Sequence, residues 1–254
     1  MTAILITGGT GDVIVLESHF PQELKDSLTT IYYACSSYAP LRSYFEALPN
    51  YPQLRNHISL WDDFSRFRCF LNKAHVTNTL LGWGKRLPAD WNKVDDWSIA
   101  QRFPLIEAGI YPRLGSSGLH YRLAPLTIDL PERYNVVVPC TPNDRGLPAR
   151  AFDDAEWIRV VDYLRQLDLP GVILNSPNAD PRPADLIDLT GQTTILESIE
   201  ILKRAQGYIG IDSCLSVLAA RYFDPACLRI KVSRSHAHHW KGVYWPGVVI
   251  THSI

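Results

Sequence analysis

The chain has 254 residues, 46% hydrophobic and 20% charged, with a formal net charge of −1. That composition suits a folded protein with a large core, as one large domain or two small ones. It excludes a global electrostatic attraction to nucleic acid or anionic membranes.

Cys35, Cys69, Cys140, Cys214 and Cys227 form no Cys-x-x-Cys pair. Zinc clusters are therefore unsupported, and the odd count fits a reducing compartment. The first residues lack a basic leader with a cleavable apolar stretch, and no run is long enough to span a bilayer. The expectation is a cytoplasmic protein without stable membrane insertion. Its seven Trp and twelve Tyr suit sugar or nucleotide pockets and core packing equally.

Ala3 to Thr7 reads as a strand. Gly8-Gly9-Thr10-Gly11-Asp12 follows as a glycine loop, and a helix is expected from Val13. Strand, glycine loop and helix open a Rossmann-like unit, whose glycines let backbone N–H groups approach a ligand. The loop lacks the Gly-Lys-Ser/Thr of a phosphate P-loop. A dinucleotide fingerprint counted from Gly9 and Gly11 meets Ile14 where a small residue belongs. Ile31 to Cys35 then ends in Ser36-Ser37 rather than in an acid for a ribose, which argues against NAD or FAD. Asp12 has two readings: a general base facing a cleft, or a helix cap.

Gln22–Thr30 and Pro40–Leu48 read as helices, His57–Trp61 as a third strand, and Asp62–Lys73 as a helical run bearing Arg66 and Arg68. From His75 to Gly118 the pattern blurs. Trp83, Trp91 and Trp97 lie there among Gly, Pro and Asp, either in acceptor-facing loops or in a satellite core. Leu119 to Arg133 reads as a linker. The expected domains are 1–131 and 132–254.

Tyr134 to Pro139 restarts the alternation as a buried strand. The loop from Cys140 to Arg150 carries Thr141, Arg145 and Arg150, a pyrophosphate clamp or simply a surface turn. Asp153–Leu167 is a helix stopped by Pro170-Gly171, and Val172–Asn175 is a strand. Thr194 and Glu197 form a capping-box pair that starts a helix at Ile195, with Gly207 as its C′ stop. Tyr208–Ile211 is a short strand delivering Asp212-Ser213 to a helix from Leu215 to Tyr222. An acid and a hydroxyl at a helix N-terminus suit a phosphate, and equally suit a cap. Leu228–Val232 is a further strand, so parallel sheet is the economical arrangement. His236, His238 and His239 in the tail have no Cys or acid close by, so no metal site is assigned.

The segment Asp188-Leu-Thr-Gly-Gln-Thr-Thr, the helix after it, Gly210-Ile-Asp-Ser and Leu218-Ala-Ala resemble the C-terminal half of the heptosyltransferase family of glycosyltransferases. Gly11-Asp12-Val13 resembles that family's opening, and Trp240 to Pro246 its closing Trp-Pro region. The resemblance implies a GT-B-like α/β fold, two Rossmann-like domains with parallel sheets facing a central cleft, 1–131 on the acceptor side and 132–254 binding the nucleotide-sugar. It implies an inverting, metal-independent glycosyltransferase without cofactor. The donor would be a nucleotide-sugar, ADP-heptose-like. The acceptor hydroxyl is unassigned, on a saccharide, a protein or a nucleobase. Asp12 would be the general base, with Gly9, Thr10 and Gly11 on the acceptor side. Thr141, Arg145, Arg150, Asp212, Ser213 and Cys214 would bind the donor.

Two positions depart from the family. Its Gly after Asp-Ser is Cys214, and its His three further on is Val217. The chain is also short for the family, which turns the expected acceptor away from the ordinary lipopolysaccharide core. Cys214 and Val217 favour a catalytically silent nucleotide-sugar binder or scaffold, which the intact Asp12 disfavours. A GT-B-fold sugar-nucleotide epimerase is a further alternative, and needs several acids and histidines around the donor sugar.

Overall fold

A computed structural model describes residues 2–65, 71–102, 125–140, 151–174, 186–232 and 249–251. Among these, 2–102 belong to one compact unit and 125–251 to another. Residues 125–131, placed by sequence with the first domain, group with the second unit.

The first unit runs β1 (Thr2–Ile6), α1 (Thr10–Ser18), α2 (Gln22–Ser27), β2 (Leu28–Tyr33), α3 (Tyr38–Ala47), β3 (Asn56–Ser59), α4 (Trp61–Phe64), α5 (Lys73–Gly82) and β4 (Val94–Asp96). Its sheet is parallel, in the order β3-β2-β1-β4. Helix α1 buries five successive residues, Val13 to Glu17. A helical run apolar all round is a core run, and the one acid within it, Glu17, is accommodated by partners. Glu17 accepts from the Tyr51 hydroxyl at 2.7 Å and pairs with Lys25 at 3.2 Å.

Three expectations are corrected here. Asp62–Lys73 is not one helix, because α4 ends at Phe64 and Asn72 caps a new helix by accepting from the His75 amide at 3.0 Å. Side-chain capping at Asn72 overrides the apolar spacing that suggested continuity. The stretch after His75 is not simply irregular. It completes α5 and supplies β4, which pairs with β1 from Ala3↔Val94 to Leu5↔Asp96. Trp91 lies in a core cluster built on the sheet, with Leu5 of β1 and Tyr32 of β2, rather than in one under a loop. Trp97 is buried too, edge-on to Phe20, whereas Trp83 is exposed.

The second unit runs β5 (Asn135–Val138), α6 (Asp154–Gln166), β6 (Gly171–Ile173), β7 (Ile187–Asp188), α7 (Ile195–Arg204), β8 (Gly207–Ile211), α8 (Cys214–Tyr222), β9 (Leu228–Lys231) and β10 (Val249–Thr251). The order is β10-β9-β8-β5-β6-β7, again all parallel. Every residue of β5 and β8 is buried. Central parallel strands covered on both faces read as continuous apolar runs, which is why both were legible. The Thr194–Glu197 capping box is formed in both directions. Gly207, however, is not a C′ residue. Helix α7 ends in an extended Ala205, and Gly207 opens β8. A Cβ at Gly207 would lie 2.6 Å from the Cys227 carbonyl oxygen, so close approach of backbones demands the glycine.

Candidate functional site

Each sheet has a point where the strand order reverses. In the first, the chain moves outward from β1 to β3, then returns to the far side of β1 with β4. In the second, it moves outward through β6 and β7, then returns beside β5 with β8. Ligands of open parallel sheets bind outside the carboxyl ends of the strands at such points. The two sequence motifs lie there: the glycine loop at the end of β1, and the Asp212-Ser213 turn at the end of β8.

In the glycine loop, Gly8 has φ +115°, a conformation that side chains rarely adopt. Gly9 is the N-cap of α1, so Thr10 and Gly11 are already helical, and the expected start at Val13 is corrected by three residues. Asp12 is therefore the third helical residue. Its Oδ2 accepts from the Gly9 amide at 2.9 Å. Glycine has no side chain to return the bond, so only the acid's half of a capping box is made. A Cβ on Gly8 would lie 3.2 Å from the Asp12 Cβ and 3.5 Å from the Ile99 Cβ. The loop thus wraps a half-buried carboxylate and brings β4's extension against it. The cap reading of Asp12 is correct as geometry, and accepting an amide proton does not change the carboxylate's capacity to act as a base. Cys35, buried at the end of β2, has its thiol pushed up to about 12, mainly by burial and further by the Asp12 charge.

Sequence reasoning passed over Ser98, just beyond β4. It is wholly buried, and its hydroxyl makes no hydrogen bond with the described residues. Nothing in its local pattern marks it. A cavity of about 400 Å³ lined by Asp62, Asp63, Ser65, Trp83 and Lys85 includes no residue of the glycine loop.

In the second unit, the half-buried Asp212 is held through its backbone, its amide donating to the Lys231 carbonyl at 3.0 Å. Ser213 is the N-cap of α8. Its hydroxyl accepts from the Ser216 amide at 3.4 Å, and its own amide donates to Ser216 Oγ at 2.9 Å. Tyr208, wholly buried, donates its hydroxyl proton to the Ile211 carbonyl at 2.8 Å and lies 3.2 Å from Ser213 Oγ. With the tyrosine proton committed, the Ser213 hydroxyl donates to the tyrosine oxygen. Ser213 is thus occupied as donor and acceptor within its own chain. Burial pushes the Cys214 thiol up to about 11, against the opposing pull of the Leu215 and Cys214 amides. Val217 is buried on α8. Thr141, Arg145, Arg150, His236, His238 and His239 lie outside the described residues, as do Arg66 and Arg68.

The raised Cys214 pKa has a direct consequence. At pH 8 about one thiol in a thousand is thiolate, and the fraction rises about tenfold per pH unit up to the pKa. Alkylation by iodoacetamide, followed by peptide mass spectrometry, is expected to be slow at Cys214 at pH 8 and to accelerate accordingly. Equal rates at Cys214 and the exposed Cys227 at pH 8 would contradict this.

No protein-family model matches the chain. No curated protein matches it either. Solved structures do. E. coli ADP-heptose lps heptosyltransferase II matches with a TM-score of 0.59 and 11% identity, over 99% of this chain and 90% of its own. A glycosyl transferase family 9 protein from Veillonella parvula DSM 2008 matches with a TM-score of 0.56 and 14% identity, over 98% of this chain and 86% of its own. The dodecameric iron-containing heptosyltransferase TibC, solved with ADP-D-beta-D-heptose, matches with a TM-score of 0.56 and 17% identity, over 98% of this chain and 63% of its own. The fold is that of the heptosyltransferase-like, GT-B-type glycosyltransferases. At such identities the likeness speaks for the fold. The chemistry rests on the residues.

Proposed function

We propose that this protein is an inverting, metal-independent glycosyltransferase that moves a sugar from an ADP-heptose-like donor to an acceptor hydroxyl. One observation carries the reading: a carboxylate, Asp12, fixed by a backbone amide at the switch point of the first sheet. The fold and the ADP-heptose bound by the TibC neighbour support a nucleotide-sugar donor.

In this reading Asp12 accepts the proton of the acceptor hydroxyl as its oxygen attacks the sugar's anomeric carbon. The bond from that carbon to the donor phosphate breaks with inversion, and the nucleoside diphosphate leaves with the electron pair. Asp12, now protonated, returns its proton to solvent. Charge accumulating on the leaving diphosphate needs fixed donors. The sequence offers Thr141, Arg145 and Arg150 for this, together with the amides at the start of α8 and Asp212 toward the sugar.

The second reading, a silent nucleotide-sugar binder, is favoured by one specific observation. The Ser213 hydroxyl is engaged as donor and acceptor within its own chain, and Cys214 heads α8 where a glycine would let a phosphate approach the backbone. A thermal-shift panel of ADP, UDP, GDP and CDP with their sugars tests the donor site. Ligand at about 100 times its dissociation constant adds roughly 2.7 kcal/mol of apparent stability. A selective shift by one base is the expected result. No shift from any member overturns the donor-site assignment. Binding without transfer to any acceptor favours the silent binder.

A further inference from the structure

The second unit contains a buried ion pair that the sequence motifs do not include. Lys231, the last residue of β9, is 6% exposed, and Glu156 is 1% exposed. The Lys231 ammonium lies 2.6 Å from Glu156 Oε2 and donates to the Ala151 carbonyl at 2.6 Å. The same carboxylate oxygen accepts from the Asp153 amide at 2.9 Å, as the returning half of the α6 capping box. The backbone carbonyl of Lys231 holds the Asp212 amide at 3.0 Å.

One residue therefore fastens two chain segments to one strand end. Its side chain takes the entrance of α6, and its carbonyl takes the Asp212-Ser213 turn. The two fastened segments follow β5 and β8, the neighbours that flank the switch point. A buried ion pair is a poor source of net stability, because the desolvation of both charges offsets their attraction and packed apolar residues serve as well. What the pair does supply is direction, through bonds to a chosen carbonyl and a chosen carboxylate. We propose that Lys231 is a positioning residue of the nucleotide-sugar site, registering the α6 entrance against the Asp212-Ser213 turn. This rests on the donor-site reading above.

The test is the double variant Lys231→Met, Glu156→Gln. Glutamine still accepts from the Asp153 amide, so the α6 cap survives, and neither charge of the pair is left buried without the other. ADP, or whichever nucleoside diphosphate the wild type binds in the panel, is titrated by calorimetry. Hydrogen exchange is followed over 151–156, with 195–204 in α7 as reference. The expected result is a loss of affinity of at least about tenfold. It is accompanied by faster exchange at 151–156, unchanged exchange at 195–204 and a thermal midpoint within a few degrees of wild type. A pair that only held the fold together would instead lower the midpoint and speed exchange across the unit. Undiminished affinity in the double variant overturns the role of Lys231 alone. A wild type that binds no nucleoside diphosphate overturns the donor-site reading, and this role with it.

Discussion

Asp12→Asn is expected to slow sugar transfer by about 100- to 10,000-fold, the usual worth of a positioned general base. In activation free energy that is roughly 2.7–5.4 kcal/mol. The substitution is chosen because Asp12 has two roles that alanine would remove together. Its Oδ2 accepts from the Gly9 amide at 2.9 Å, and this fixes the first turn of α1. Asparagine offers a carbonyl oxygen to the same amide, so the cap, worth about 1 kcal/mol, is retained. What it cannot do is take a proton at neutral pH. Single-turnover transfer, measured with the donor selected in the thermal-shift panel, should collapse while nucleotide binding and unfolding stay at wild-type values. Asp12→Ala should lose stability as well. Transfer by Asp12→Asn at close to the wild-type rate would reduce Asp12 to a cap.

Gly210→Ala is expected to destabilise the second unit by roughly 2–6 kcal/mol, from overpacking of about 1–3 kcal/mol compounded by orphaned polar groups at about 1–3 kcal/mol. The added Cβ would stand 2.7 Å from the Tyr208 hydroxyl and 2.7 Å from the Val138 carbonyl oxygen. Neither neighbour yields cheaply. Val138 pairs with Gly210 itself across the two central strands. Tyr208 is wholly buried, and its hydroxyl serves the Ile211 carbonyl and Ser213. Displacing that hydroxyl unsettles the turn that carries Asp212. Denaturant unfolding measures the loss, and Tyr208→Phe provides the control. Removing the hydroxyl frees one side of the clash, so Gly210→Ala should cost less in a Tyr208→Phe background, a non-additivity expected of touching residues. Strict additivity would show that the strand gives way elsewhere.

The candidate site was legible where its chemistry follows the local chain. Gly8 to Asp12 and Asp212-Ser213 are contiguous motifs at strand-to-helix junctions, and both fall at carboxyl ends beside a switch point. Lys231 and Tyr208 were not legible as site residues. In sequence, Lys231 is one cation ending an apolar strand, with no hint that Glu156 and Ala151, 75 and 80 residues away, converge on it. Tyr208 reads as one more apolar residue, because the glycine that makes room for its hydroxyl declares its purpose only in three dimensions.

By itself the sequence determined what depends on short-range periodicity and local hydrogen bonding. The buried runs of β1, β5 and β8, the capping box at Thr194–Glu197, and the alternation that implies parallel sheet all fall in this class. Tertiary structure alone decided where the blurred stretch after His75 goes. Strand β4 has three residues, too few for a period to show, and only its pairing with β1 makes it a strand. Tertiary structure likewise decided why Gly207 is a glycine. A helix stop and a strand crowded by a neighbouring carbonyl demand the same missing side chain, and only the distance to Cys227 tells them apart.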